Sequence, residues 1–310
     1  MEFTFTNLKP IRIDKYLVDL LQNELTRSQI NNLIENNVVF VNEKLITKSG
    51  YIIKGSGEIK IDDIFLNNKN QEKLNKWNNP KLIDIIFETD DYIVINKPSN
   101  LSVYPGSKNN DHTLVNILIS IRKYLSNIDT KRPGIVHRID KNTSGVLVIA
   151  KNNKFSIYLQ KQFQERKVYK EYLAITKGNL PAKKGIIDAP IGRDANNRKL
   201  MTVTNKNSKY AITEYEVIER FLNHDYLKLI IKTGRTHQIR VHMRFLNTPI
   251  LNDFDYDKKI KKNNNYGQFL HSYKICFYDY QNEQKCFKAK LPSYFKKQLN
   301  ILKRKKNGEN

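Results

Sequence analysis

Apolar residues recur at helical spacing at Ile13, Leu17, Leu20, Leu21 and Leu25, which predicts an amphipathic helix over residues 12–24. Thr26 and Gln29 make a capping-box pair that opens a short helix running through Glu35. Val38-Val39-Phe40-Val41 reads as a strand, Asn42-Glu43-Lys44 as a turn, and Ile59 with Ile61 as an alternating strand that closes the unit. Residues 66–81, rich in Asn and Lys, hold the only tryptophan, Trp77; they carry no period and read as a linker. From about residue 83, strands and helices interleave. Tyr92–Lys97 is a strand stopped by Pro98, and Leu114, Ile117, Leu118, Ile121 and Leu125 form one helical stripe. Val146–Ala150 is a continuous apolar strand, as expected where both faces are covered. Phe155, Leu159 and Phe163 mark a further helix, and Val168–Ile175, Ala211–Val217 and Tyr226–Ile231 three later strands. The pattern is that of an α+β domain with a large sheet.

A length of 310 residues accommodates about two domains. Charge changes the picture more: 54 Lys+Arg against 31 Asp+Glu leave a net +23, a field that attracts a polyanion. A compositional bias toward Lys, Asn and Ile supplies part of that surplus. No apolar run approaches the roughly 20 residues of a membrane helix, and the opening residues lack the pattern of a secretory signal. Cys276 and Cys286 form no CxxC pair, and a single disulfide would be an odd framework for this length, so a reducing, cytoplasmic setting is expected. Lys303-Arg304-Lys305-Lys306 reads as a solvated basic end, and Lys258–Asn265 as a low-complexity tract.

Two segments concentrate chemistry. Arg132–Gly145 sets His137, Arg138 and Asp140 in a loop directly before the apolar strand. A carboxylate there can be held rigidly enough for a nucleophile or base; spacing alone favours an Asx-turn shaped by Asn142 and Gly145. Lys228–Arg244 carries Lys228, Lys232, Arg235, Arg240, Arg244, His237 and His242 with no acidic residue. Thr236 can cap a helix whose Arg240 reaches a buried carboxylate, though charge alone also fits a solvated basic helix.

Together and in order, these blocks resemble the RluA family of pseudouridine synthases. The matching pieces are Ile95-Asn96-Lys97-Pro98, Gly134–Lys151 with its His-Arg-Ile-Asp, Lys170–Ile175, Thr233–Met243 and Leu270-His271. Asp188–Arg193, with Arg198 and Met201, resembles the RluD-type branch that acts on large-subunit ribosomal RNA. Residues 10–62, with Arg12, Lys15, Arg27, Gln29, Lys44 and Lys48 about the helices, resemble an S4 domain, the family's common companion. The resemblance implies an α+β fold: an S4-like RNA-binding domain over 1–65, a linker over 66–82, a catalytic domain over 83–300 with a large mixed, mainly antiparallel sheet, and a basic tail over 301–310.

It also implies roles. The catalytic aspartate falls on Asp140, its tyrosine on Tyr172 and its basic partner on Arg240; Arg138 matches the residue that enters the RNA where the target base leaves. His137, Arg235, Arg12, Lys15, Arg27 and Lys44 complete the expected RNA-contacting set. Uridine must lose its N1–C1′ bond, turn and reattach through C5, so one carboxylate acts on a base taken out of its stack. An ion pair with Arg240 would keep that carboxylate charged, and Tyr172 offers a flat face to the ring. Attack at C6, attack at C1′ and removal of a sugar proton all remain open to Asp140. No metal, nucleotide or redox cofactor is expected, nor a membrane; the partner is ribosomal RNA or a pre-ribosomal particle, and the expected state is a monomer. Alternative readings are the same reaction on transfer RNA, a non-catalytic ribosome-assembly factor, or an RNA nuclease or glycosidase using Asp140 with the histidines. Asn100, Tyr104, Leu251-Asn252-Asp253 and Ser272 depart from the family pattern.

Overall fold

The computed structural model describes residues 2–21, 27–35, 37–62, 74–106, 111–121, 125–129, 132–257 and 266–308. At the front, β1 (Glu2–Arg12) pairs antiparallel with β4 (Ile52–Ile61), and β2 (Val39–Val41) and β3 (Lys44–Leu45) complete a sheet in the order β1-β4-β2-β3. The strand β1 has no clean alternation for a sequence reading to find: Phe5 alone is buried, and its ladder to β4 shifts register twice. Against this sheet pack α1 (Ile13–Leu20) and α2 (Arg27–Glu35). The helix expected over 12–24 thus stops at Leu20; Leu25 and Thr26, and with them the proposed capping box, lie outside the described residues. Ile13 and Leu17 meet Ile30 and Ile34 in one fully buried cluster.

Asp14 sits completely buried in α1, gripped by Arg12 Nε and NH2 (3.1 and 3.0 Å) and by Arg27 Nε and NH2 (2.8 and 2.7 Å). Burial pushes its carboxyl up, but the two guanidinium groups outweigh that and hold it below the ordinary value. Arg12 and Arg27 therefore clamp the two helices together. Asn32 Nδ2 donates to the Ile128 carbonyl at 3.0 Å, which ties this unit to the rest of the chain.

Residues 74–82 are packed, not loose as the linker reading had them. Trp77 lies on the main core against His112 (4.7 Å between rings), its N–H donates to Asn116 O at 3.1 Å, and Asn116 Nδ2 returns a bond to Asn75 O at 2.7 Å. An isolated tryptophan has no period to betray where it packs.

The main sheet is built from β5 (Asp84–Glu88), β6 (Tyr92–Lys97), β7 (Ser144–Ala150), β8 (Tyr169–Ile175), β9 (Lys184–Asp188), β12 (Ile212–Arg220), β13 (Asp225–Ile231), β14 (Leu270–Tyr278) and β15 (Gln284–Lys288). Its order is β5-β6-β7-β14-β8-β13-β12-β9, with β15 on β14; β10 (Ile191–Arg193) and β11 (Met201–Val203) form a separate ribbon. Only the β14–β7 pair is parallel, so the sheet is mixed and mainly antiparallel. Every residue of β7 is buried because both faces are covered. Leu147 and Ile149 join the core beneath α3 (Leu114–Ile121) and α5 (Gln238–Phe245); Val146 and Val148 join the one beneath α4 (Asn153–Gln164).

One row of residues crosses five strands side by side: Lys97, Gly145, Ser272, Tyr172 and Leu229. Gly145 is obligatory in it. Its φ is +118°, and a Cβ there would lie 2.2 Å from the Ser272 carbonyl oxygen.

Two further expectations change. The presumed tail is the end of α6 (Ser293–Lys306), and Leu302 is buried beside Phe295. Cys276 and Cys286, expected to stay unpaired, stand directly opposite each other in β14 and β15 and form a disulfide. Their ten-residue separation across a hairpin creates the pairing, which spacing rules for metal motifs do not register. No helix among the described residues is long and apolar enough to cross a membrane.

Candidate active site

Asp140 ends the loop that feeds β7, and the loop is fixed from three sides. The Thr143 N–H donates to Asp140 O at 3.1 Å, closing a turn. Ser99 Oγ donates to Asn142 O at 2.9 Å, and Gln268 Nε2 to Thr143 Oγ1 at 3.0 Å. From below, the fully buried Lys97 amine donates to the carbonyls of Pro98 (2.7 Å), Leu101 (2.8 Å) and Lys141 (3.1 Å). Burial pulls that amine down to about 7, with the Asp140 charge opposing the shift. Asp140 thus closes the turn through its backbone carbonyl, not through a side-chain Asx-turn, and its carboxylate faces a pocket, 18% exposed.

The opposite wall is the Thr233–Arg240 segment. Gln238 organises it: its Oε1 accepts from Thr233 Oγ1 (2.7 Å) and Arg235 N (3.0 Å), and its Nε2 donates to Ile212 O (2.8 Å) and Thr213 Oγ1 (3.0 Å). The residue preceding α5 is His237, in the left-handed region at φ +57°, not Thr236 as the capping pattern predicts. Two residues into the helix, Arg240 NH1 donates to Asp140 Oδ2 at 3.1 Å. Arg240 Nε and NH2 each lie 2.7 Å from the buried Asp253, and NH2 also reaches Asp255 at 2.5 Å. Burial opposes its charge, but Asp253, Asp140 and Asp255 together raise its pKa above the ordinary arginine value. Asp253 was passed over in the sequence because it stands in a turn that departs from the family pattern.

Tyr172 completes the site from β8, buried between the Ser272 and Leu229 positions of its neighbours. Burial pushes its phenol up to about 12, Ser272 hydrogen-bonds it, and Asp140 adds to the rise. The hydroxyl is therefore neutral at physiological pH. Asp140, Tyr172 and Arg240, more than thirty residues apart at the closest, line one pocket with Arg138, Arg235 and His237.

The RNA-contacting candidates divide. Arg138 is exposed, its guanidinium 4.7 Å above the Tyr104 ring and hydrogen-bonded to the Tyr104 hydroxyl; Arg132 lies 5.0 Å from the same ring. Arg235 stands at the rim, its Nε on Tyr210 O at 2.9 Å. His137 turns inward: it stacks on Phe163, its Nε2 accepts the Val148 N–H at 2.9 Å, and burial drives its pKa down to about 3. In the N-terminal unit Lys15 and Lys44 are exposed, whereas Arg12 and Arg27 are engaged with Asp14. His242 is interior, with Nε2 on Ala189 O at 3.0 Å. Among the described residues no three His, Cys, Asp or Glu are grouped to hold a metal ion.

Known proteins share this arrangement of chain. A pseudouridine synthase of Bacillus subtilis is 36% identical over 97% of this chain and 96% of its own length. The ribosomal large subunit pseudouridine synthase D of Neisseria meningitidis is 36% identical over 94% of this chain and 79% of its own; that of Borreliella burgdorferi is 43% identical over 69% and 66%. The structure titled human RNA pseudouridylate synthase domain containing 4 is 26% identical, superimposes with a TM-score of 0.57, and covers 71% of this chain and 93% of its own. Residues 91–245, which carry Asp140, Tyr172 and Arg240, match the family described as RNA pseudouridylate synthase. With an aspartate, a tyrosine and an arginine brought to one pocket by that matching segment, the chain belongs to the RNA pseudouridylate synthase family.

Proposed function

We propose that this protein converts uridine to pseudouridine in large-subunit ribosomal RNA, with Asp140 as the catalytic carboxylate. The observation that carries the reading is the Asp140–Arg240 pair at 3.1 Å on the wall of a pocket that also presents Tyr172. Similarity to ribosomal large subunit pseudouridine synthases at 36–43% identity supports the choice of RNA. The reaction breaks N1–C1′, makes C5–C1′, removes the proton on C5 and returns one to N1, so nothing is gained or lost overall. Arg240 holds the carboxylate charged and oriented, and Tyr172 gives the extruded ring a flat, uncharged neighbour. Arg138 fills the vacated stack, with Arg235 at the pocket rim beside the backbone.

The N-terminal unit, two helices on a four-stranded sheet, serves as an S4-like docking module in which Lys15 and Lys44 meet phosphates. Arg12 and Arg27 build that module by clamping Asp14 and contribute their outer faces only. As a protein acting on ribosomal RNA or pre-ribosomal particles it works in the cytoplasm as a monomer; that setting rests on the partner alone, since Cys276 and Cys286 are paired.

The test is a pseudouridine map of unmodified large-subunit ribosomal RNA after incubation with wild type and with Asp140→Asn. Carbodiimide-dependent reverse-transcriptase stops are expected with wild type alone. Stops that persist in the variant would remove Asp140 from its role. A parallel map of unmodified transfer RNA that alone shows stops would replace the substrate.

A further inference from the structure

His237 is the one ionisable residue lining the pocket that the roles above leave unused, and its geometry gives it a task. Its ring is held edge-on to Tyr256, 5.7 Å between centroids at 88°, with Nδ1 2.9 Å from the phenolic oxygen. That oxygen already accepts the Met201 N–H at 3.0 Å. With one lone pair so taken, we assign the phenolic hydrogen to Nδ1, which then acts as an acceptor and leaves the ring proton on Nε2. Nε2 lies 4.0 Å from Asp140 Oδ1, beyond hydrogen-bond distance, and the side chain retains 18% of its surface toward the pocket. The left-handed φ of +57° that aims the ring is a conformation non-glycine residues rarely hold without a return.

We propose that His237 is a further catalytic residue, whose Nε2–H donates a hydrogen bond to a carbonyl oxygen of the uracil as it leaves C1′. This rests on the isomerase reading above. When N1–C1′ breaks, the bonding pair stays with the uracil and spreads onto its carbonyl oxygens, next to an Asp140 that is itself anionic. Arg240 cannot neutralise both, because its single charge already faces Asp140, Asp253 and Asp255. A donor with no hydrogen-bond acceptor in reach among the described residues is what the departing base requires, and His237 supplies it without transferring a proton. The hydrogen bond strengthens as charge develops, which is the condition for accelerating a step.

The experiment compares wild type and His237→Phe in single-turnover breakage of the N1–C1′ bond, on uridine RNA and on the same RNA carrying 5-fluorouridine at the target. Fluorine stabilises the departing anion by itself, so the missing donor should be felt less. On uridine RNA the variant should be slower by about 10²-fold, with RNA affinity within threefold. On 5-fluorouridine RNA the deficit should shrink to about tenfold or less. An equal deficit on both substrates, or none on uridine, overturns the proposal. His237→Gly, which tolerates the left-handed backbone and has no side-chain donor, carries the same comparison if His237→Phe fails to fold. Absence of pseudouridine with wild type would instead defeat the isomerase reading.

Discussion

Arg240 gives two of its nitrogens to Asp253, at 2.7 Å each, and only one to Asp140. The fully buried Asp253 is thus the anchor that holds Arg240 against Asp140. Asp253→Asn should cost about 3 kcal/mol of stability, the order expected for breaking a buried pair, and should lower turnover together with it. Asp255 is half exposed, so Asp255→Asn should cost less than about 1 kcal/mol. Urea titrations of the two variants, side by side with single-turnover rates, distinguish anchor from bystander; equal costs would contradict the assignment.

Tyr104, a departure from the family pattern, receives Arg138 both on its face and at its hydroxyl. Tyr104→Phe keeps the face and should alter kcat/KM by less than about threefold, since an exposed cation–π contact is worth about 0.5–1 kcal/mol. Tyr104→Ala removes the support altogether and should weaken turnover more than RNA binding. If both variants behave alike, the ring is not what positions Arg138.

His271 is a buried neutral histidine. Its Nε2 donates to Ala289 O at 3.2 Å, and its Nδ1 accepts from Ser144 Oγ at 2.9 Å. Burial pulls its pKa down to about 4, against 6.5 when unfolded. Between those values the unfolded chain binds a proton that the folded one refuses. The contribution to stability is therefore complete above pH 6.5 and is lost as pH falls toward 4, by about 3 kcal/mol. The difference in unfolding free energy between wild type and His271→Asn, from urea titrations, should shrink by that amount from pH 7 to pH 4; a constant difference would mean that the folded and unfolded chains bind the proton alike.

Gly145→Ala places a methyl group against the Ser272 backbone at a φ of +118°. A loss on the order of 3 kcal/mol is expected, seen as a lowered Tm, and the parallel contact between β7 and β14 should open first in hydrogen exchange.

The sequence carried the strands with strong β-branched or apolar runs, and β6, β7, β8, β12 and β13 all lie where their patterns predict. It carried Asp140, Tyr172 and Arg240 through motif order, and the pocket unites them. It missed β9, β10, β11 and the largely buried β14, and also β1, β5 and β15, whose exposed positions blur the alternation. It missed Asp253 and Gln238 for a different reason. Both act through long-range contacts to Arg240 and to the Thr233 turn, and one sequence shows nothing of such pairings. His137 looked equivalent to its neighbour Arg138, yet adjacent residues in an extended segment face opposite ways, and one went to the interior.

The placement of β14 between β7 and β8 has a temporal consequence. Asp140, Tyr172 and Arg240 are all polymerised before Leu270, yet the two strands that carry or follow the first two cannot be bridged until residues 270–272 arrive. A nascent chain halted near residue 250 would contain the whole family-matching segment and still leave the facing edges of β7 and β8 unpaired. The pocket lined by Asp140, Tyr172, Arg240 and Leu270 is in this way complete only when translation is nearly over.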